Sequence, residues 1–260
     1  MKKFIEDIKN YHKYAIYSAK AELKSEIANS HLSWLWWILD PLLFMFVYAF
    51  VSSIVFNASE NYFLAFVFIG VSCWDFFNKT IKQSVKLVSS NKNIVSKVYI
   101  PKFILIFVKM GNNGFKMLVS FCLVICMMLF YQVPLSATML CFFPLILLLF
   151  LITFAGSVIL LHFGVFVEDL SNVVNVLLRL VFYLSGVFYS IANRVPEPYQ
   201  TILLKLNPIA LIMEDMRRTV LYGQAPHTEI LLLWAVASVV ISVIGIRTIY
   251  KYENSYVKVI

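Results

Sequence analysis

Long apolar segments alternate with short polar segments along nearly the whole chain. A helix needs about 20 mostly apolar residues to cross a bilayer, and six segments meet this requirement: 33–56, 62–84, 102–131, 137–165, 172–192 and 228–249. The pattern predicts an all-α polytopic membrane protein with six transmembrane helices. Composition agrees, because the 260 residues are 61% hydrophobic and 14% charged, whereas soluble domains are about 45–50% apolar and 25% charged.

The N-terminal segment is periodic instead of continuously apolar. Apolar residues recur every three or four positions from Phe4 to Ile27, between lysines. This is typical of an amphipathic helix on a membrane surface, and it predicts an interfacial helix over 1–31 followed by a transmembrane domain over 32–260. A soluble helix packed on a partner is the alternative. No secretory signal pattern occurs there, so no cleavage is expected.

Basic residues indicate how the chain is oriented. The loop 79–102 carries six lysines and no acid, whereas the connections 57–61 and 132–136 carry no basic residue. The positive-inside rule places the lysine loop in the cytoplasm. With six spans, both termini are then cytoplasmic. The formal net charge of +8 is explained by these orientation signals, so we expect no nucleic acid partner.

The segment 193–227 is too long for a turn and mixes apolar residues with four prolines. It follows the fifth span on the outer side. Irregular backbone is tolerated at membrane depth only where protein or water shelters it. The segment therefore predicts a re-entrant pair of short helices before the last span, with an ordinary extracellular loop as the alternative.

Several polar residues lie inside predicted spans. Lys109, Asn112, Asn113 and Lys116 share one face of the third span at helical spacing. Asp75 in the second span and Arg179 in the fifth need similar shelter, because each lies inside a predicted span. Ionisable residues at this depth are functional candidates, here for the path of an anionic or polyhydroxyl solute. The alternative is a set of interhelical ion pairs, or lysines that reach the interface.

Asp40 and Pro41 stand side by side in the first span. Proline removes a helical hydrogen bond, and a carboxylate can cap a helix whose first turn contains proline. The pair therefore predicts a break or kink, which forms a hinge between a gate segment 33–39 and the remainder of the span.

Motifs for catalysis are missing from the sequence. It contains no G-x-x-x-x-G-K-[ST] phosphate loop and no recognisable hydrolytic arrangement. Its four cysteines lie in apolar segments without metal-ligand company. We expect a non-enzymatic chain with no catalytic residue, no metal site and no cofactor of its own. If ATP drives its function, ATP and Mg²⁺ bind to another polypeptide.

Three segments, in order, resemble permeases of ABC transporters that export bacterial polysaccharides. They are LSWLWWILDPLLFMFVYAFVSSIVF at 32–56, NKNIVSKVYIPKFIL at 91–105 and LNPIALIMEDMRRTVLYG at 206–223. With the six-span plan, the resemblance covers nearly the whole chain. It implies an ABC exporter permease fold, in which a homodimer binds two copies of a nucleotide-binding subunit in the bacterial inner (plasma) membrane.

The resemblance also implies a substrate and a mechanism. The substrate is a lipid-linked polysaccharide, either O-antigen of lipopolysaccharide or capsule, with teichoic acid as a variant. A polymer does not fit in a closed cavity between short spans, so we expect processive translocation through a channel at the permease dimer. One departure from the family is lysine where relatives often carry arginine near the entry.

The resemblance and the pattern of polar and aromatic residues in the spans together give three sets of candidate residues. Coupling to the ATPase falls to Asn91, Lys92, Ile94, Val95, Ser96, Lys97 and Tyr99 of the loop 79–102. Channel or gate candidates are Trp36, Trp37, Asp40, Pro41, Tyr48, Arg179, Tyr183 and Tyr189. Candidate headgroup contacts are Lys20, Lys24, Lys109 and Lys116.

Two other functions remain as alternatives. An ABC permease for drugs or small lipids would use related spans. A polyprenyl-linked glycosyltransferase would need clustered carboxylates for a metal ion. Glu168 with Asp169 is a single acidic pair on a cytoplasmic loop, and Glu214 with Asp215 is balanced by Arg217 and Arg218 on the outer side. The enzyme is therefore disfavoured.

Overall fold

The computed structural model describes residues 2–28, 33–51, 54 and 60–259. Helices and turns make up this part of the chain, and no strand occurs in it. The helices are α1 Lys2–Ala28, α2 Ser33–Phe50, α3 Phe63–Val85, α4 Leu87–Ser90, α5 Lys92–Val95, α6 Lys102–Phe130, α7 Phe142–Phe166, α8 Leu170–Leu184, α9 Ile191–Arg194, α10 Tyr199–Leu206, α11 Pro208–Val220 and α12 Thr228–Val259. A 3₁₀ turn over Ala137–Cys141 leads into α7.

Four described segments are long and apolar enough to span a membrane. They are Phe63–Val85, Lys102–Phe130, Ala137–Phe166 and Thr228–Tyr256, which match the second, third, fourth and sixth predicted spans. The apolar stretches of α2 and α8 are shorter, at Leu35–Val47 and Leu170–Leu184. The helical, multi-pass character is confirmed, and the count of six remains a prediction that depends on these two shorter helices.

Helix α3 occupies the centre of the bundle and packs against α2, α6, α7, α8 and α11. Its side chains from Ala65 to Trp74 are buried, and Phe66, Phe68 and Ile69 are almost completely so. Helix α7 packs between α3 and α12. The backbones of α3 and α7 meet at Gly164, where a Cβ atom would overlap the carbonyl oxygen of Val85.

Helix α1 packs along α6 of the same chain. Its Phe4 ring lies 4.9 Å from that of Phe103. Tyr250 of α12 donates a hydrogen bond of 2.5 Å to Asp7. The amphipathic helix therefore has a defined partner surface inside the protein, and its place at the cytoplasmic interface remains a prediction.

Helix α2 runs without interruption from Ser33 to Phe50, with Pro41 inside it. The predicted break at Asp40 is wrong, and Asp40 does not cap a second helix. An interior proline costs about 3 kcal/mol in an isolated helix, but neighbouring helices can support it in a membrane bundle. Pro41 is buried, and α2 packs against α1, α3 and α6, which supplies that support.

Segment 193–227 contains short helices, and a buried arginine joins it to the bundle. Arg217 is 1% exposed, and its positive charge acts on Glu214 from inside the protein. Its guanidinium donates to the backbone oxygens of Phe66 (3.1 Å), Gly186 (2.8 Å) and Val187 (2.7 Å). It also lies 3.6 Å from the centre of the Phe66 ring. These bonds fasten α11 to α3 and to the turn after α8.

We predict that Gly70→Ala destabilises this attachment. A Cβ atom at Gly70 would overlap Nη2 of Arg217 and lie 2.8 Å from the carbonyl oxygen of Val187. Overpacking of this kind costs about 1–3 kcal/mol, and it should lower the melting temperature of the detergent-purified protein. Gly111→Ala is the matched control, because its Cβ would meet only Ala19, at 3.7 Å. Equal melting temperatures for the two variants would contradict the prediction.

Candidate functional site

The polar stripe of α6 faces protein, as its spacing predicted. Lys109 Nζ lies 2.8 Å from both carboxylate oxygens of Glu22 on α1. Asn112 donates to the same carboxylate at 3.1 Å. Asn113 donates to Thr80 Oγ1 at 3.0 Å and to a second acceptor on α3, Gln83 Oε1, at 2.9 Å.

The last member of the stripe, Lys116, forms an ion pair of 2.6 Å with Glu26 of α1. Interhelical ion pairs were the alternative interpretation of these lysines, and the structure contains them. The partners Glu22 and Glu26 were missed from the sequence. Their spacing of four residues places both on one helix face, which was the available signal.

A polar pocket of about 340 Å³ lies where α1, α2, α3 and α6 meet. We call it the central polar pocket. It brings four predicted gate residues of α2 together with polar residues of the other helices. Its lining residues are Glu26, Trp36, Trp37, Asp40, Pro41, Ser72, Asp75, Phe76, Lys79, Asn113, Lys116, Met117 and Ser120.

Charge in the central polar pocket is nearly balanced. Lys79 pairs with Asp75 at 2.8 Å, and Lys116 pairs with Glu26 at 2.6 Å. Asp40 is exposed and has no ion-pair partner among the described residues. Because both lysines are neutralised and one carboxylate is left over, the pocket suits a polyhydroxyl ligand better than an anion.

Trp36 and Trp37 supply aromatic surface beside these polar groups. Trp36 is 55% exposed, while the Trp37 ring has Lys116 Nζ 5.7 Å from its centre and contacts Phe115 edge-on. Flat apolar ring faces next to hydrogen-bonding groups are the combination that a sugar ring requires, since it has both apolar C–H faces and peripheral hydroxyls.

Other predicted gate residues lie away from this pocket, on and after α8. Arg179 and Tyr183 are on the exposed face of α8. Tyr189 is half-buried and donates to the carbonyl oxygen of Tyr183 at 2.8 Å. The side chain of Tyr48 lies outside the described part of the chain. A single chain therefore does not place all the gate candidates around one cavity.

The four candidate headgroup lysines fall into two groups. Lys109 and Lys116 are bound to carboxylates of α1. Lys20 and Lys24 are exposed, and Lys20 borders an apolar groove between α1 and α6. The proposed headgroup contact now depends mainly on these two exposed lysines.

The predicted coupling loop contains α4 and α5 and presents apolar side chains to solvent. Ile94, Val98 and Tyr99 are 41%, 57% and 50% exposed, whereas Val95 is only 5% exposed. Val95 therefore packs α5 against the bundle, and its role in coupling remains a prediction. The remaining predicted coupling residues are exposed or half-buried: Asn91, Lys92, Ser96 and Lys97.

Tyr99 connects the loop to both ends of the chain. Its hydroxyl donates to Glu253 of α12 at 3.1 Å, and its backbone oxygen accepts from Tyr11 of α1 at 3.2 Å. Partial burial and the neighbouring Glu253 carboxylate raise the pKa of Tyr99. Movement of the loop is therefore linked to α1 and α12.

Comparison with known proteins decides the family. The model of the ABC-2 type transporter family matches residues 16–221, which include the C-terminal part of α1 and all the helices from α2 through α11. The chain belongs to the ABC-2 type transporter family. As an ABC-2 permease it is a multi-pass membrane protein, and its family implies an ABC ATPase as partner. The match covers both the central polar pocket and the predicted coupling loop.

Curated relatives of this ABC-2 permease are similar over almost their full length. The O-antigen export system permease protein RfbA of Myxococcus xanthus is 27% identical over 243 residues, 93% of each chain. Two proteins of the same name from Klebsiella pneumoniae are each 22% identical over 240 residues, 92% of each chain.

We predict that exchanging the charges of the Lys116–Glu26 pair preserves the attachment of α1. Lys116→Glu or Glu26→Lys alone places like charges side by side and should lower the melting temperature of the purified permease. The double variant should recover most of the loss, because the attraction is restored. Lys24→Glu, at an exposed position, is the control and should have little effect. If the loss of melting temperature in the double variant equals the sum of the losses in the two single variants, the prediction is contradicted.

Proposed function

We propose that this chain is the transmembrane subunit of an ATP-driven ABC transporter that exports a lipid-linked polysaccharide across the bacterial inner membrane. The substrate is O-antigen or a capsular polysaccharide, with teichoic acid as a close variant. The observation that carries the proposal is the similarity to O-antigen export permeases over 92–93% of both chains, within a family that matches most of the sequence.

The central polar pocket supports a sugar polymer as the substrate. Its lining combines carboxylates, an amide and hydroxyls with two tryptophan rings, and its lysines are already neutralised. Such a surface can exchange hydrogen bonds with successive sugar units without binding any of them as tightly as a fixed charge would. Weak, repeated contacts suit a polymer that must keep moving.

The outward face of α8 supports a permease dimer. Val173, Val176, Leu180 and Tyr183 are exposed there beside Arg179. An arginine facing lipid at the centre of a span costs about 2.5–3.5 kcal/mol, so this face is better covered by a second permease or by a water-filled path. A homodimer with the channel between its two copies places Arg179 and Tyr183 beside that path.

The coupling loop supports a separate motor. Two copies of a nucleotide-binding subunit would bind ATP and Mg²⁺ and contact the exposed side chains of Ile94, Val98 and Tyr99 on the cytoplasmic side. Closure of these subunits would push α5, and the hydrogen bonds of Tyr99 to α12 and α1 would carry the movement into the bundle. Both termini are cytoplasmic in this arrangement.

The proposal predicts the phenotype of a clean deletion in the bacterium that encodes the chain. Surface polysaccharide should disappear, polymer should accumulate inside the cell, and the gene in trans should restore both to normal. Gel electrophoresis of surface and intracellular polymer measures the two pools. Normal surface polymer in the deletion strain would contradict the proposed function, as would retention of a drug or small lipid in place of the polymer.

A second prediction concerns the coupling loop. Ile94→Glu should reduce export to background while membrane levels stay normal, because a charge replaces an exposed apolar contact. Val95→Glu is a poorer test, since burying a charge there would destabilise the loop itself. Leu135→Glu, at an 89% exposed leucine outside the loop, is the matched control and should export normally. Full export by Ile94→Glu would remove this surface from the coupling mechanism.

A further inference from the structure

A second polar pocket, of about 360 Å³, lies near the start of α3. We call it the α3–α11 pocket. It shares no lining residue with the central polar pocket. Asp75 of the central polar pocket is about 18 Å farther along α3 than Phe63, by the helical rise, so the two pockets occupy different depths. The lining residues are Glu60, Asn61, Ser190, Ala192, Asn193, Glu214, Arg218, Tyr222 and Gln224.

Glu214 is the unusual group in this pocket. It is 6% exposed, and its Oε2 atom has no hydrogen-bond partner among the described residues. Native proteins usually satisfy buried polar atoms, and each exception calls for an explanation such as a ligand or an ion. Because Glu214 lines the α3–α11 pocket, a group that donates hydrogen bonds from within the pocket would satisfy it.

The surrounding groups include both hydrogen-bond acceptors and donors. Glu60 accepts a hydrogen bond of 3.0 Å from Asn193 Nδ2. Arg218 donates through Nε to the carbonyl oxygen of Ala225 at 3.4 Å, and it also lines the pocket. Tyr222 donates to the backbone oxygen of Asn61 at 3.3 Å, and its ring adds apolar surface.

This composition disfavours ions. The described part of the chain holds no group of three His, Cys, Asp or Glu residues that could bind a metal, and the Arg218 guanidinium would repel a cation. The Glu60 and Glu214 carboxylates likewise disfavour an anion. A sugar hydroxyl both donates and accepts, so neighbouring hydroxyls of one ring can bond a carboxylate and a guanidinium or amide together.

We propose that the α3–α11 pocket binds an uncharged sugar unit, with Glu214 accepting from its hydroxyls and Arg218 donating to them. The inference rests on the proposed function, in which a polysaccharide passes through the bundle, and it adds a second contact at another depth. Arg217, three residues after Glu214, fastens α11 to the backbone of α3 and so supports the position of Glu214. Three of the pocket's side chains come from the segment 206–223, to which the proposed function assigns no role.

Oligosaccharide binding to the purified complex tests the proposed sugar site directly. The permease and its nucleotide-binding subunit are reconstituted in nanodiscs and titrated with oligosaccharides of two to six units, prepared by partial hydrolysis of the bacterium's own surface polysaccharide. Glu214→Gln keeps the shape and removes the charge, and it should weaken binding by about tenfold or more, as expected for loss of a charge-assisted hydrogen bond. Arg218→Gln should do the same. Glu229→Gln, at an exposed position outside the pocket, should bind like wild type.

Export by the same variants separates the two proposals. Glu214→Gln should also slow the appearance of surface polymer in complemented cells. If the wild-type gene restores export but Glu214→Gln and Arg218→Gln bind oligosaccharide as wild type does, this inference fails and the proposed function stands. If Mg²⁺ or Ca²⁺ binding is lost in Glu214→Gln while oligosaccharide binding is unchanged, the pocket is a cation site and the inference is overturned. Failure of the wild-type gene to restore export contradicts the proposed function itself.

Discussion

Polar groups of α6 need partners because hydrocarbon offers none, and the carboxylates of α1 supply them. Lys109 and Asn112 bind Glu22, and Lys116 binds Glu26. An uncompensated charge at membrane depth costs several kcal/mol, so α6 depends on α1 to be tolerated. Glu26 and Lys116 also line the central polar pocket. The shape of the central polar pocket therefore depends on the N-terminal helix, which the sequence predicted to lie on the membrane surface.

A different kind of contact, a buried arginine, holds the N-terminal part of α3. Arg217 has no carboxylate partner in its three described hydrogen bonds, and it binds backbone oxygens from α3 and from the turn after α8. Its planar guanidinium suits several acceptors at fixed angles and the stack on Phe66. Gly70 provides the space. Ion pairs between side chains therefore hold α1 against α6 beside the central polar pocket. A buried arginine bound to backbone oxygens holds α11 against α3 beside the α3–α11 pocket.

Sequence patterns predicted the parts of the fold that depend on local composition. Apolar length located α3, α6, α7 and α12, and helical spacing showed that the polar residues of α6 share one face. Other features depend on tertiary contacts. The break expected at Pro41 is absent because α1, α3 and α6 surround that helix, and Val95 is buried although its neighbours are exposed.

The candidate site was predicted only in part. Trp36, Trp37, Asp40 and Pro41 do line one pocket, but the carboxylate partners on α1 were missed, since charges on an amphipathic helix are usually assigned to water. The burial of Arg217 was also missed, because a basic residue in a proline-containing segment is normally exposed. Both errors concern charges whose partners lie far away in sequence, and periodicity carries no information about such partners.

Translocation by the reconstituted complex tests the central claim most directly. Proteoliposomes that contain the permease and its nucleotide-binding subunit, with the ATP site facing outward, are loaded with labelled lipid-linked polysaccharide in the outer leaflet. A glycosidase added outside then reports how much polymer has moved into the lumen. We predict protection that grows with time, requires both subunits and stops when ATP hydrolysis is blocked. Protection that is equal without ATP, or none with all components active, would contradict the account.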